Sequence, residues 1–236
     1  MKRSFLDWLF PPKCPFCRRL LSGGQPCPCE SSLPHTGENV LREGEDFGRC
    51  AAPLWYEGGA RDSLLRFKFQ GERGYAAGYG DLLASCAADC FSGDFDCVSW
   101  VPVSDKRRRE RGYDQAELLA IETAKRWDTK PVALLRKIGD NPAQSGLPDA
   151  AARRKNVRGM YAPLPDAALP GRRVLLIDDI LTTGSTLGEC VRVLRAAGAA
   201  SVCCLTLAQT REKAGAAKEP QPHPAPDWQG GNPTAK

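Results

Sequence analysis

The chain has 236 residues, of which 42% are hydrophobic and 26% are charged, and its formal net charge is +5. This composition is typical of a globular protein with one sizeable domain and an appendage. The mild positive charge permits an anionic ligand or a nucleic acid but requires neither. The odd total of eleven cysteines argues against a secreted disulfide scaffold, and the N-terminus does not have the pattern of a secretory signal peptide.

The first fifty residues are rich in cysteine and proline and lack long apolar periods. The opening MKRSFLDWLFPPKC predicts a short amphipathic helix, because its apolar patch contains Asp7 and is too short to span a membrane. CPFC at 14–17 and CPC at 27–29 have a spacing typical of a closed, structural zinc site. A redox CxxC is less favoured, because no strand–helix–strand context surrounds it. The predicted zinc ligands are Cys14, Cys17, Cys27 and Cys29, with Cys50 as an alternative to one of the last two.

The next part of the chain alternates short apolar runs with helical spacing. Residues 138–160 are polar and predict a long loop or a mobile hood. The elements predicted before this loop are a strand over 54–56, a helix through Leu64, Leu65 and Phe67, a second helix over 79–91, a β-rich run over 95–104, a helix over 116–127 and a short strand over 131–135.

Residues 173–177 carry an apolar run that fits a central strand covered on both faces. A helix over 185–197, ended by Gly198, and a strand over 201–208 are predicted to follow. Strands that alternate with helices predict an α/β fold, a parallel sheet flanked by helices. We therefore expect an N-terminal helix and cysteine zinc module at 1–50, the α/β domain at 51–210 and a disordered tail at 211–236.

The stretch VLLIDDILTTGST at 174–186 places two carboxylates directly after this apolar run. Ligands of parallel sheets bind beyond the carboxyl ends of the strands. The small, hydroxylated residues that follow lead into a helix and offer N–H and O–H donors to a phosphate. The alternative is that both groups only cap a turn and a helix. The spacing favours a sugar-phosphate site, with carboxylates on the sugar hydroxyls and the loop around the phosphate. The predicted residues are Asp178, Asp179, Thr182, Thr183, Gly184, Ser185 and Thr186.

This stretch resembles the phosphoribosyl pyrophosphate motif of type I phosphoribosyltransferases. The resemblance implies a type I phosphoribosyltransferase-like fold and a phosphoribosyl pyrophosphate ligand accompanied by Mg²⁺. It also implies that Asp178 and Asp179 hold the ribose hydroxyls and are the catalytic residues, and that 182–186 hold the 5′-phosphate.

The segment VPVSDKRRRERGYDQ at 101–115 is similar to a signature of the ComF family, which is linked to competence and DNA uptake. Because it follows a strand, the segment can reach the same crevice and neutralise a leaving pyrophosphate. A solvated basic loop and a nucleic-acid patch are the alternatives. Asp114 stands where the family usually has Asn, an awkward charge in a loop that faces an anion. The predicted pyrophosphate-loop residues are Ser104, Lys106, Arg107, Arg111 and Gln115.

Residues 137–161 resemble a second ComF segment, which corresponds to a hood that closes over the active site of type I enzymes. The implied hood residues are Gln144, Arg153 and Asn156, and closure would exclude water from the activated sugar. A plain surface loop is the alternative. ComF proteins also carry a cysteine zinc module ahead of the transferase domain, although the second cysteine pair is CxC here.

The resemblance implies a Mg²⁺-dependent binder of phosphoribosyl pyrophosphate and a phosphoribosyltransferase, a pentosyl glycosyltransferase. The alternative is a non-catalytic component of the DNA-uptake machinery that binds single-stranded DNA and retains the fold. The expected partners are phosphoribosyl pyrophosphate, single-stranded DNA and DNA-uptake proteins. A cytoplasmic location without a membrane span is expected, because the cysteine pattern favours a reducing compartment.

Overall fold

A computed structural model of the chain describes residues 13–21, 27–139 and 157–211. The helix predicted before residue 13, the hood residues Gln144, Arg153 and Asn156, and the predicted tail from residue 212 onward lie outside these described residues. Within them, no helix combines the length and the apolar character needed to cross a lipid bilayer.

The described helices and strands alternate along the chain after residue 50. The α-helices are α1 (Gly58–Phe69), α2 (Tyr75–Phe91), α3 (Asp105–Arg111), α4 (Gln115–Ala124) and α5 (Ser185–Ala196). The strands are β1 (Leu41–Gly44), β2 (Gly48–Ala51), β3 (Leu54–Trp55), β4 (Cys97–Trp100), β5 (Leu135–Lys137), β6 (Tyr161–Pro163), β7 (Arg173–Leu181) and β8 (Ser201–Gln209).

The main sheet has the strand order β1-β2-β8-β7-β4, and β3 also pairs with β8. β2, β3 and β7 run parallel to β8, and β4 runs parallel to β7. β1 adds an antiparallel edge as a hairpin with β2. This mainly parallel sheet confirms the predicted α/β class.

Both faces of β7 are buried, as the apolar run predicts. Leu175 and Ile177 belong to a core formed with α1, α2 and α4. Val174 and Leu176 belong to a second core formed with α5 and the β5–β6 hairpin. Because successive side chains alternate between the faces of a strand, an unbroken apolar run is what a doubly covered strand requires.

Two strands differ from the sequence prediction. β7 does not stop at 177 but continues to Leu181, because β8 still pairs with its last residues after β4 has ended opposite Ile177. The short strand predicted over 131–135 lies further along the chain, at β5, where β6 supplies an antiparallel partner. The aspartates therefore lie inside the end of β7 and not beyond it.

The boundary that the sequence suggests at residue 50 falls within β2. The β1–β2 hairpin joins the main sheet through β8, so residues 41–51 pack with the α/β domain. The described cysteine-containing residues 13–21 and 27–29 lie outside the sheet, and the first of these segments contacts α1, where Arg66 Nη2 donates to the Pro15 carbonyl at 3.0 Å.

Candidate functional site

Asp178 and Asp179 lie where β7 extends past its neighbour β4. The Val101 N–H still donates to the Ile177 carbonyl at 2.9 Å, and the chain then leaves the sheet. Since side chains alternate along a strand, Asp178 shares the α5 face and Asp179 shares the α1 face. Neither carboxylate caps α5, whose N-cap is Gly184.

The environment of Asp178 disfavours its charged form. Burial, and then the neighbouring Asp179 charge, raise the pKa of Asp178 to about 8. The Asp179 N–H donates to Asp178 Oδ1 at 2.8 Å, and this bond and the Lys68 charge lower the pKa in part. At neutral pH the protonated form of Asp178 is therefore favoured.

Asp179 has a partner that sequence reasoning missed. Lys68, in the last turn of α1, places Nζ 2.8 Å from Asp179 Oδ2. The two side chains are only 19% and 16% exposed, so this is not an ordinary surface ion pair. In the sequence Lys68 is one basic residue within a helical pattern. Only the packing of α1 against the end of β7 gives it a place in the site.

Residues 182–186 form the turn between β7 and α5. Gly184 has φ +76°, a left-handed conformation that favours glycine, and Ser185 begins the helix. The Thr183 and Ser185 hydroxyl oxygens lie 2.9 Å apart. Asp178 and residues 180–187 line one small cavity here. A helix N-terminus beside hydroxyl groups suits a phosphate, so the carboxyl and the predicted phosphate loop share one cavity.

The β1–β2 hairpin packs against this loop. Arg42 Nη1 donates to the Thr182 carbonyl at 3.0 Å. The Phe47 ring fills the space beside Gly184 so closely that a Cβ on Gly184 would overlap it. Residues before position 50 therefore shape the predicted phosphate loop, a role that the sequence pattern did not indicate.

The basic segment after β4 forms the short helix α3 and not an open loop. Ser104 is its N-cap, with Oγ accepting the Arg107 N–H at 3.4 Å. Gly112 ends the helix with φ +76°. Because α3 begins shortly after β4 ends, the segment lies at the same end of the sheet as the aspartates.

The predicted pyrophosphate-loop residues differ in their exposure and in their contacts. Lys106 is exposed and Arg107 is half-buried. Arg111 Nη1 donates to Gln115 Oε1 at 2.8 Å, so these two residues bond to each other. The C-terminal end of the basic segment is therefore held in place by a hydrogen bond between its own residues.

Asp114 is buried and structural. Its Oδ1 accepts the N–H groups of Ala116 and Glu117 at 3.0 and 3.2 Å, and its Oδ2 accepts the Val103 N–H at 2.9 Å. Burial is the main cause that raises the pKa of Asp114. A carboxylate can use both oxygens as acceptors, whereas an Asn amide has only one. Asp114 therefore caps α4 and ties it to the end of β4, which accounts for the departure from Asn.

The four predicted zinc ligands are brought together. The sulfurs of Cys14, Cys17, Cys27 and Cys29 all lie within 4.8 Å of one another. Neighbouring Sγ–Sγ distances are 3.5 Å for Cys14–Cys29, 3.3 Å for Cys17–Cys27 and 3.5 Å for Cys27–Cys29. Tetrahedral zinc with Zn–S bonds of about 2.3 Å needs sulfurs about 3.8 Å apart, so the donor set fits this ion.

The alternative ligand Cys50 lies elsewhere. It is fully buried in β2, with Sγ 3.9 Å from Thr206 Oγ1. Burial raises the pKa of this thiol to about 12. Within the cluster, a backbone hydrogen bond from Arg19 lowers the pKa of Cys17 to about 7, whereas burial raises the pKa of Cys29.

Comparisons with known proteins agree with this geometry. The phosphoribosyl transferase domain family matches residues 114–226, which contain β7, the phosphate loop and α5. Competence protein F of Haemophilus influenzae is 37% identical over 101 residues, 42% of this chain and 43% of that protein. Competence protein ComFC of Bacillus subtilis is 29% identical over 199 residues, 82% of this chain and 76% of that protein. The chain is similar to competence proteins of the ComF family.

The chain combines a phosphoribosyltransferase-type domain with an N-terminal cluster of four cysteines. It spans about half the length of the first curated relatives it matches. Among solved structures, adenine phosphoribosyltransferase from Thermoanaerobacter pseudethanolicus aligns with 18% identity and a TM-score of 0.36, covering 73% of this chain and 96% of that one.

Proposed function

We propose that this protein binds phosphoribosyl pyrophosphate with Mg²⁺ and transfers its phosphoribosyl group to an acceptor. The observation that carries the proposal is the cavity shared by Asp178 and residues 182–186, with Asp179 beside it on the same strand. A 5′-phosphate at the start of α5 would place the ribose hydroxyls next to the two carboxyl groups.

In this proposal each part of the site has a separate task. Asp178 and Asp179 accept hydrogen bonds from the ribose hydroxyls, and the charge of Asp179 stabilises the positive charge that develops on the sugar. The basic segment formed by α3 and the start of α4 would face the leaving pyrophosphate with Ser104, Lys106, Arg107, Arg111 and Gln115. Mg²⁺, when bound, neutralises part of the pyrophosphate charge. The predicted hood residues Gln144, Arg153 and Asn156 would close over the site and exclude water.

We also propose one structural zinc ion on Cys14, Cys17, Cys27 and Cys29. The N-terminal cysteine segment would form this module, and the phosphoribosyltransferase-like domain would include the β1–β2 hairpin, which pairs with β8. Thiolate ligands require reduced cysteines, so the proposed location is the cytoplasm.

Titration calorimetry with phosphoribosyl pyrophosphate and Mg²⁺ tests the ligand. We expect wild-type protein to bind, and Asp178→Asn/Asp179→Asn to bind at least ~100-fold more weakly, because each charged hydrogen bond contributes roughly 1.5–3 kcal/mol. Asp94→Asn removes a carboxylate that pairs with Arg49 on the surface and should leave the affinity unchanged. Absence of binding by the wild type, or equal affinities for the wild type and the double variant, contradicts the proposal.

The same titration should depend on pH in one direction. Because the pKa of Asp178 is raised to about 8 in the free protein, its carboxylate form becomes dominant only as the pH passes this value. A ribose hydroxyl that donates to Asp178 favours the carboxylate, so affinity should rise several-fold from pH 6.5 to 8.5 and binding should release a proton. Asp178→Asn should remove this rise.

The exposed arginines of α3 favour a second candidate function, the binding of single-stranded DNA. Arg108 is 56% exposed and pairs with Glu117 at 3.0 Å, and Arg109 is exposed beside it. Two relatives are named competence proteins, so we propose that this protein also contacts DNA and proteins of the DNA-uptake machinery.

Fluorescence anisotropy with a labelled single-stranded oligonucleotide tests this second function. Since cationic side chains release counterions from the phosphates, the logarithm of the affinity should fall linearly with the logarithm of the salt concentration. Arg108→Ala/Arg109→Ala should weaken binding and flatten the slope, whereas Arg172→Ala, at the opposite end of β7, should not. A flat salt response of the wild type rules the function out.

A further inference from the structure

The last turn of α1 lies between the aspartates and the basic segment. Lys68 reaches Asp179 at 2.8 Å. The next residue, Phe69, lies under the Arg111 guanidinium, whose central carbon is 5.2 Å from the ring centroid. The Tyr113 hydroxyl donates to the Phe67 carbonyl and ties the same turn to the start of α4. Lys68 therefore stands where the proposed ribose and pyrophosphate sites meet.

The backbone of this turn is firmly anchored. Phe67 is fully buried, and its ring packs edge-on against Tyr79 at 5.3 Å between centroids. Two residues before Lys68, Arg66 Nη2 donates to the carbonyls of Pro15 and Phe16 at 3.0 and 3.2 Å. These contacts hold the backbone of α1 on both sides. The long, flexible side chain of Lys68 is therefore the part of this turn that can move to a different partner.

The Lys68–Asp179 pair balances charge in the absence of a ligand. With both side chains more than four-fifths buried, the carboxylate needs a compensating group. Ribose hydroxyls can provide one, because they donate hydrogen bonds to a carboxylate. The ammonium would then need a new anion, and the pyrophosphate of the same ligand supplies one.

We propose that Lys68 is a pyrophosphate-binding residue that exchanges Asp179 for the ligand. The inference rests on the proposed function of this site. In the free protein Nζ bonds to Asp179. In the complex the ribose hydroxyls donate hydrogen bonds to Asp179 in place of Lys68. The Lys68 Nζ then forms a charge-assisted hydrogen bond to a pyrophosphate oxygen.

Calorimetry with two ligands, each in the presence of Mg²⁺, tests the exchange. Lys68→Met keeps much of the side-chain volume and removes the charge. We expect its affinity for phosphoribosyl pyrophosphate to fall at least tenfold. Its affinity for ribose 5-phosphate, which lacks the pyrophosphate, should stay the same or increase because Asp179 loses a competing partner. Lys68→Arg should retain part of the pyrophosphate affinity.

Lys125→Met is the matched control. Lys125 lies at the C-terminal end of α4 and also pairs with a carboxylate, Glu122 at 2.7 Å, but it is 61% exposed. This variant should bind both ligands like the wild type. Equal losses for both ligands in Lys68→Met would mean that Lys68 only positions Asp179, and unchanged affinity for phosphoribosyl pyrophosphate would mean that it does not touch the ligand. Either result overturns the inference. If the wild type binds neither ligand, the proposed function itself fails and Lys68 loses its role with it.

Discussion

Gly184→Ala is expected to abolish detectable binding of phosphoribosyl pyrophosphate and to destabilise the fold. A left-handed backbone costs a residue with a Cβ about 1–2 kcal/mol. The new methyl group would also overlap the buried Phe47 ring, and overpacking costs about 1–3 kcal/mol more. The unfolding free energy should therefore fall by about 2–5 kcal/mol in chemical denaturation. Because relief of the overlap moves the phosphate loop, the affinity should fall more than 100-fold in calorimetry.

Gly171→Ala separates the cost of the left-handed backbone from the cost of the overlap with Phe47. Gly171 has the same φ of +76°, but a Cβ there meets nothing within 4 Å. This variant should lose only the backbone contribution, about 1–2 kcal/mol, and keep its ligand affinity. Removal of the ring in Phe47→Ala/Gly184→Ala should restore part of the binding. If Gly184→Ala behaves like Gly171→Ala, the close packing of Phe47 against the loop does not control the site.

Cys14→Ser is expected to eliminate the bound zinc. Cys14 is the buried member of the cysteine cluster, and a hydroxyl replaces a thiolate poorly as a zinc ligand. The loss of affinity should exceed the 10–100-fold that changes around a metal site produce without removing a ligand. Zinc content measured by mass spectrometry should fall from one ion per chain to nearly none, and the thermal transition should shift to lower temperature.

Cys90→Ser is the control for this experiment. Cys90 is a half-buried cysteine of α2 outside the cluster, so the variant should keep its zinc. Retention of a full equivalent of zinc by Cys14→Ser would contradict the four-cysteine site. A zinc content of the wild type below one equivalent per chain would also contradict the four-cysteine site.

The sequence predicted those features that depend on local pattern. The run Val174–Ile177 is apolar at every position, which indicates a strand buried on both faces, and this is how β7 lies. The small residues 182–186 precede the apolar helical face of α5, so the turn and the helix start could be placed. The spacing of Cys14, Cys17, Cys27 and Cys29 predicted a cluster because two short pairs suffice to bring the sulfurs together.

The features that the sequence could not predict depend on long-range packing. Lys68 and Asp179 are far apart in the chain, and no local pattern distinguishes Lys68 from Arg61 or Arg66 in α1. The apolar run ends at Ile177, before the end of β7 at Leu181, because pairing with β8, and not an apolar side chain, extends the strand. Asp114 seemed unsuited to an anion site, because its three N–H partners become visible only when α4 and the end of β4 are in place.

The β1–β2 hairpin limits how this chain can be divided. An N-terminal deletion to residue 50, made to isolate the transferase domain, would remove β1 and most of β2. It would also remove Arg42 and Phe47, which contact the turn before α5, and would leave the edge of β8 open to pairing with another chain. The shortest independently folding fragment should therefore start before residue 41, so that it contains the whole β1–β2 hairpin.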